Sequence, residues 1–303
     1  MAAHNATVIT ALSGPPLFGQ DLANVSVLRL DRLGGPAPGN KVFKLRAFLD
    51  EAAAAGSRRL LSFGGAWSNH LHALAGLGAE CGLETVGFVR GAERDTPMLE
   101  DARRWGMHIV PLSRADYRQR QDRVFQQWLL DRHGPGLLIP EGGDSAAGVR
   151  GCLAIAQRVN STSGPWDRVV LAVGTGTTLA GLAAGLAPGL KLVGVSALKN
   201  ACDLERRVEE GLVAAGLHAA VPWEILHGYH CGGFARSDAR LRALMLAFEA
   251  SRGVRLEPVY TGKALLAIHD RLERGLWHGD ERILLIHTGG LQGRRGFGWL
   301  EAG

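Results

Sequence analysis

Cysteine is scarce in this chain: four in 303 residues. Cys81, Cys152, Cys202 and Cys231 stand apart, with no CxxC pair and no metal-ligand spacing, so no metal site is expected. Isolated thiols read as reduced, which suits a cytoplasmic protein. Long apolar runs are missing as well. Nothing approaches the roughly 18 consecutive apolar residues of a bilayer span. Residues 1–20 lack a basic start followed by an apolar stretch, so neither a membrane segment nor a signal peptide is expected. A strong charge of one sign is also absent: 34 Lys+Arg against 29 Asp+Glu leave a net charge of +5. The densest basic stretch, Arg114 to Arg123, alternates with polar and acidic residues and reads as a solvated helix face, which argues against a nucleic-acid partner. No repeat or low-complexity segment stands out.

What is there is the composition of a folded protein, 46% hydrophobic and 21% charged, with 42 glycines for tight turns and close backbone approaches. The length suits one or two domains. Short apolar runs at 25–30, 59–63, 85–89, 108–112, 137–139, 168–173, 192–196 and 283–287 lack polar alternation, the mark of strands buried on both faces of a parallel sheet. Helical patterns lie between them at 69–81, 115–132, 146–159, 238–251 and 262–274. Strand–helix–strand order predicts an α/β fold with right-handed crossovers. Gly/Pro-rich stretches at 34–40 and 140–148 mark candidate junctions, and predict a smaller α/β domain inserted in a larger one.

Several segments carry groups suited to chemistry. In Gly39-Asn40-Lys41-Val42-Phe43-Lys44, a glycine turn releases into a helix with two lysines three apart on one face. The positive end of a helix disfavours a cation, so such a lysine has a lowered pKa or takes an anionic or covalent partner; a neutral amine is what Schiff-base chemistry requires. Two surface lysines on an amphipathic helix explain the spacing too. Ser62-Phe63-Gly64-Gly65-Ala66-Trp67-Ser68-Asn69-His70 follows a strand and opens a helix. Ser68 is a natural N-cap, and the N–H groups behind it suit a carboxylate. Gly174, Thr175, Gly176, Thr177 and Thr178 follow another strand and form a candidate anion cup of backbone N–H groups and hydroxyls. No Gly-Lys-Ser/Thr follows, and Leu179 occupies the place of a third dinucleotide-fingerprint glycine. Near the C-terminus, Tyr260 has a ring able to stack on a heteroaromatic group, and Thr261 and Thr288 have hydroxyls able to meet a ring nitrogen. The segment Tyr229 to Phe234 could wall a pocket or pack in the core.

The segments GNKVFKL, SFGGAWSNH, PEGG, GTGTTLAG, EPVYTGKA and HTGG, in this order from Gly39 to Gly290, resemble the fold type II pyridoxal-phosphate (PLP) enzymes of the D-cysteine desulfhydrase and 1-aminocyclopropane-1-carboxylate (ACC) deaminase branch. The resemblance implies two three-layer α/β domains with mostly parallel sheets, tryptophan synthase β-like. The large PLP-binding domain would comprise 1–43 and 152–303, with the small domain at 44–151 inserted. It also implies a homodimer acting on a small amino acid. Lys41 would hold PLP as a Schiff base and act as catalytic base, helped by Ser68. Asn69 would bond the phenolic oxygen of PLP, and Ser68, Asn69, His70 and Tyr229 would face the substrate. Gly174 to Thr178 would hold the phosphate, with Lys44 assisting. Tyr260 would stack on the ring and serve catalysis, while Thr261, with Thr288 near it, would meet the ring nitrogen.

Within that branch, ACC deaminases typically carry Glu and Leu where this chain has Thr261 and Thr288, whereas desulfhydrase-like members carry Thr at both. The resemblance therefore points to α,β-elimination giving pyruvate and ammonia. ACC deamination, racemisation or dehydration, PLP binding with little catalysis, and a nucleotide-binding α/β protein are the alternatives. The chain departs from the branch at Arg29-Leu30-Asp31, where Arg-Asp-Asp is common, at Lys199-Asn200-Ala201, where a Gly-rich turn is common, and at Leu291-Gln292-Gly293, where Leu-Pro-Gly is common. Trp67 and His70 fall at variable, pocket-shaping positions.

Overall fold

The computed structural model describes residues 8–162 and 164–300. Residues 1–7, part of the stretch read for a signal peptide and of the expected large domain, lie outside the described residues, as do 163 and 301–303. In chain order the elements are β1 (Ile9–Ala11), β2 (Val25–Arg29), α1 (Asn40–Ala54), β3 (Arg59–Gly65), α2 (Asn69–Cys81), β4 (Glu84–Arg90), α3 (Pro97–Arg104), β5 (His108–Leu112), α4 (Arg114–Arg118), α5 (Arg123–His133) and β6 (Leu137–Ile139). They continue with α6 (Ala146–Asn160), β7 (Arg168–Val173), α7 (Thr177–Gly185), β8 (Lys191–Ser196), α8 (Leu204–Ala214), β9 (Trp223–Leu226), α9 (Ala239–Arg252), α10 (Thr261–Glu273) and β10 (Ile283–His287).

Two sheets result. One is six-stranded in the order β1-β2-β10-β7-β8-β9, the other four-stranded in the order β5-β4-β3-β6. Every pairing is parallel except β1 with β2. The side-chain period of two divides each central strand between two cores. Val169, Leu171 and Val173 of β7 join one cluster with α6, α7 and α8, while Val170 and Ala172 join another with α9 and α10. In the smaller sheet, Leu60 and Val89 face α1, α2 and α3, whereas Leu61, Phe63, Val86 and Phe88 face α4 and α5. Phe63 and Phe88 pack with ring centroids 5.2 Å apart; burying each side chain contributes about 1.5–3 kcal/mol.

The strands of the smaller sheet interrupt those of the larger, as an inserted unit does. The positions expected as boundaries fall inside helices. Within α1, Phe43 belongs to the core of the six-stranded sheet, and Leu45 and Phe48 to that of the four-stranded sheet. α1 is thus a shared wall, and Lys41 and Lys44 lie on it between the two cores.

Two local expectations change. The single helix expected at 115–132 is broken into α4 and α5. Tyr117 and Arg120 are tied to Glu141 at 2.6 and 2.7 Å, and Asp122 caps α5 through the Phe125 N–H at 2.9 Å, so tertiary anchors end one helix and a cap starts the next. β1, α3, α8 and β9 have no counterpart in the sequence reading. β1 contains no buried residue, so it shows no apolar signal.

Candidate active site

The carboxyl ends of the two parallel sheets face one another across α1, the place where α/β folds gather ligand-binding groups. Asn40, first residue of α1, is tied twice to the end of the six-stranded sheet. Its backbone N–H donates to the Thr288 carbonyl at 3.0 Å, and its Nδ2 donates to Thr178 Oγ1 at 2.9 Å. Its Oδ1 accepts from Lys41 Nζ at 3.0 Å. Burial, reinforced by the neighbouring Lys44 charge and only partly offset by Cys152 and Glu257, lowers the Lys41 pKa to about 7. Lys44 is more deeply buried, its pKa also lowered by burial, and its Nζ reaches the Gly142 carbonyl at 3.3 Å and Thr175 Oγ1 at 3.5 Å.

The turn after β7 ends at Gly176, which has φ 94° and gives α7 no side-chain cap. The first N–H groups of α7 therefore lack intrahelical partners although Thr177 and Thr178 are buried. An uncapped helix start beside a buried lysine is a fit for phosphate. Thr175 and Thr177 share a hydrogen bond of 2.8 Å, and Thr177 donates to Asp144 at 2.8 Å, which stiffens the cup. Gly174 is needed for space: a Cβ there would lie 3.2 Å from Tyr260 Cε1. The Tyr260 ring thus leans on the cup, with the Phe234 ring edge-on at 6.2 Å. Burial, then the Glu257 and Glu141 charges, raise the Tyr260 pKa and keep its phenol protonated.

Tyr260 is held by a residue for which the sequence suggested no role. Glu257, 1% exposed, accepts the N–H groups of Val259, Tyr260 and Thr261 at 2.8, 2.8 and 2.6 Å. A carboxylate just ahead of a helix start was the signal that could have found it. Thr261 is drawn into the same cap. Its Oγ1 accepts from the Glu257 N–H at 2.9 Å and lies 3.2 Å from the Glu257 carbonyl and carboxylate oxygens. Thr261 was expected at the ring nitrogen; in this structure its single proton points to Glu257. Thr288, one residue beyond β10, has a side chain with no hydrogen-bond partner among the described residues, and is the hydroxyl left for that role.

On the opposite side, Ser68 caps α2 by accepting the Leu71 N–H at 3.2 Å, leaving its own proton free. Asn69 Oδ1 accepts from Gln292 Nε2 at 2.9 Å. His70 is buried. Ser62 Oγ donates to the Ile139 carbonyl at 2.8 Å, so at 2.8 Å from His70 it accepts from a protonated Nε2. Nδ1 is left as a buried acceptor without a partner. Burial, then the Lys41 and Lys44 charges, lower the His70 pKa to about 3, so the ring is neutral.

Tyr229, expected at the substrate, has its hydroxyl engaged on α10. Its hydroxyl donates to Asp270 at 2.8 Å, and Arg240 also holds that carboxylate at 2.7 Å. Asp270 is nine residues along α10 from Thr261, about 14 Å at 1.5 Å per residue. Phe234 is the member of the Tyr229–Phe234 segment that reaches Tyr260.

The family model for pyridoxal-phosphate dependent enzymes matches residues 10–289. A Thermotoga maritima protein named for 1-aminocyclopropane-1-carboxylate deaminase is 30% identical over 287 residues, 89% of each chain. The D-cysteine desulfhydrase of Salmonella paratyphi A is 30% identical over 271 residues, 83% of this chain and 82% of the other. A solved structure of an ACC deaminase homologue superposes with a TM-score of 0.81 at 25% identity, covering 91% of this chain and 88% of that one.

Proposed function

Because the chain belongs to the family of pyridoxal-phosphate dependent enzymes, we propose that it eliminates the β substituent of a small amino acid, D-cysteine first among the candidates, as a D-cysteine desulfhydrase-like lyase. Water and cysteine would yield pyruvate, ammonia and hydrogen sulfide. The observation that carries this reading is Lys41: a half-buried amine with a pKa of about 7, 3.0 Å from Asn40 and close to an uncapped helix start.

PLP, when bound, supplies an electron sink for charge developing at the substrate's α-carbon. The chain's own residues do the rest. The backbone N–H groups of the 174–178 turn and of the start of α7, with Lys44, would hold a phosphate. Tyr260 presents its ring face beside Gly174. Asn69 Nδ2 would donate to a phenolic oxygen and Thr288 to a ring nitrogen. Lys41 Nζ removes the proton at the α-carbon: at pH 7 about half of such amines are neutral, so the base and its conjugate acid are both available. Ser68, whose proton is free, assists at the substrate carboxylate beside the α2 N–H groups, and neutral His70 forms part of the wall behind it. The half-buried Tyr260 phenol, kept protonated, would serve as a proton donor to the leaving group.

A neutral hydroxyl rather than a carboxylate for the ring nitrogen supports elimination of a good leaving group over a deeper electron sink. Glu257 is turned to backbone N–H groups, so it does not supply the missing carboxylate. Opening of the ACC ring is the second reading, supported by the name of the Thermotoga maritima relative. The four free cysteines suit a reducing cytoplasm, and family likeness supports a homodimer.

The test is turnover of D-cysteine, L-cysteine, D-serine and ACC by the PLP-loaded protein. Pyruvate with equimolar sulfide from D-cysteine is expected. Formation of 2-oxobutyrate from ACC without sulfide release from cysteine would replace elimination by ACC deamination.

A further inference from the structure

We infer that Gln292 is a positioning residue that sets which end of the Asn69 amide faces the cofactor. The inference rests on the reading above, in which Asn69 donates to the phenolic oxygen of PLP. A primary amide offers an acceptor at one end and donors at the other, and its outline is nearly the same either way round. Something must choose. Gln292 Nε2 donates to Asn69 Oδ1 at 2.9 Å, which turns Asn69 Nδ2 the other way, toward Gly290. A Cβ at Gly290 would lie 2.8 Å from that Nδ2, so glycine leaves the room it needs. Nδ2 has no hydrogen-bond partner among the described residues, so its protons are available to an acceptor that is not part of the protein.

The backbone that carries Gln292 is firmly placed and keeps its amide beside Asn69. Gln292 lies in the 3-10 segment Leu291–Gly296 that leaves the end of β10 and crosses to the inserted unit. Its neighbour Gly293 donates to the Gly290 carbonyl at 2.9 Å, and its own carbonyl accepts from Arg295 Nε at 3.1 Å. Arg295 is ion-paired with Asp101 of α3, which His72 of α2 also contacts at 3.0 Å. A Cβ on Gly296 would be 3.0 Å from the Trp67 ring, so that indole lies over the end of the segment. The segment therefore meets α2 and α3 at several points, and the Gln292–Asn69 bond spans 223 positions of sequence. The resemblance leads one to expect proline at this position, and proline has no side-chain donor. Here the chain itself supplies the orienting group.

The test compares Gln292→Ala, Gln292→Glu and Gln292→Lys with Asn69→Ala. PLP dissociation constants come from titration of apoprotein, and the share of phenol-form against phenolate-form absorption comes from the spectrum of the loaded protein. Thermal midpoints of the apoproteins check folding. Glu offers only acceptors and would reverse the Asn69 amide; Lys keeps a donor. Gln292→Glu and Gln292→Ala are expected to weaken PLP binding about tenfold and to raise the phenol-form share, as Asn69→Ala does, while Gln292→Lys stays within about twofold of the parent. A role in packing alone would rank the variants by thermal midpoint, not by donor capacity. If Asn69→Ala changes neither readout, the role given to Asn69 fails. If Asn69→Ala changes both but Glu and Lys at 292 behave alike, the positioning role of Gln292 fails.

Discussion

Thr261 and Glu257 close a ring of hydrogen bonds at the start of α10: the Thr261 N–H donates to Glu257 Oε1 at 2.6 Å, and the Glu257 N–H donates back to Thr261 Oγ1 at 2.9 Å. The two threonines that look equivalent in the sequence are therefore unequal. Thr261 maintains the helix start that carries Tyr260, and Thr288 is the hydroxyl open to a ligand. Thr261→Val should lower apoprotein stability by about 1–2 kcal/mol, seen by chemical denaturation, because a buried N–H loses its acceptor. Thr288→Val should leave stability nearly unchanged and alter the spectrum and affinity of bound PLP. The opposite pattern would return the ring nitrogen to Thr261.

Lys41 should make the apoprotein sensitive to pH in a definite direction. Its folded-state pKa is depressed to about 7 from 10.5. Between those values the unfolded chain binds the proton and the folded chain does not, so stability rises with pH across this window and is lost as pH falls toward 7. Partial exposure of the residue moderates the effect to about 1–3 kcal/mol. Urea denaturation of the apoprotein at pH 7 and pH 10 measures it as the part of the rise that Lys41→Met loses, since the buried Lys44 and Lys263, whose pKa values burial also lowers, keep a rise of their own. The rate of PLP capture should likewise rise with a midpoint near pH 7, since only the neutral amine attacks an aldehyde.

Lys44 is placed to act through charge at the phosphate cup. Lys44→Met should weaken PLP binding by ten- to a hundredfold, the scale of about 1.5–3 kcal/mol for a charged hydrogen bond. Affinity for pyridoxal without its phosphate should change far less. Equal losses for both ligands would place Lys44 away from the phosphate.

Asp101 joins the inserted unit to the C-terminal segment. Burial opposes its ionisation, but hydrogen bonds from Arg295, His72 and Arg104 outweigh it and lower the Asp101 pKa to about 2. A depressed carboxylate pKa stabilises above about pH 4 and loses that contribution as pH falls toward 2. Asp101→Ala should cost about 1–2 kcal/mol at neutral pH, because it leaves the buried His72 Nε2 without its partner while the more exposed Arg104 and Arg295 turn to water. Denaturation of the variant and parent at pH 7 and pH 3 should show the gap narrowing at the lower pH.

Much of the fold was legible because its parallel strands, the central β7 and β10 and the edge strands β5 and β6 alike, are short unbroken apolar runs. The runs at 108–112, 137–139, 168–173 and 283–287 coincide with β5, β6, β7 and β10 from end to end. Elements without a dense apolar signature were invisible: β1 has no buried residue, and β9 buries only Leu226. The break between α4 and α5 depends on Glu141, which is 24 positions from Tyr117, so no local window contains its cause.

The sequence by itself determined the α/β architecture and the kind of chemistry. Hydrophobic period, glycine turns before helix starts and a lysine at a helix N-terminus are local features, and local features survive being read in one dimension. The tertiary structure alone decided what each polar group does. Lys41 became a low-pKa amine because two cores enclose it. Thr261 was spent on Glu257 and Thr288 left free, Tyr229 was carried to the far end of α10, and Gln292 was brought to Asn69 from 223 positions away. A hydroxyl or amide has few protons and lone pairs, and which partner claims them is settled by distances that exist only once the chain has folded.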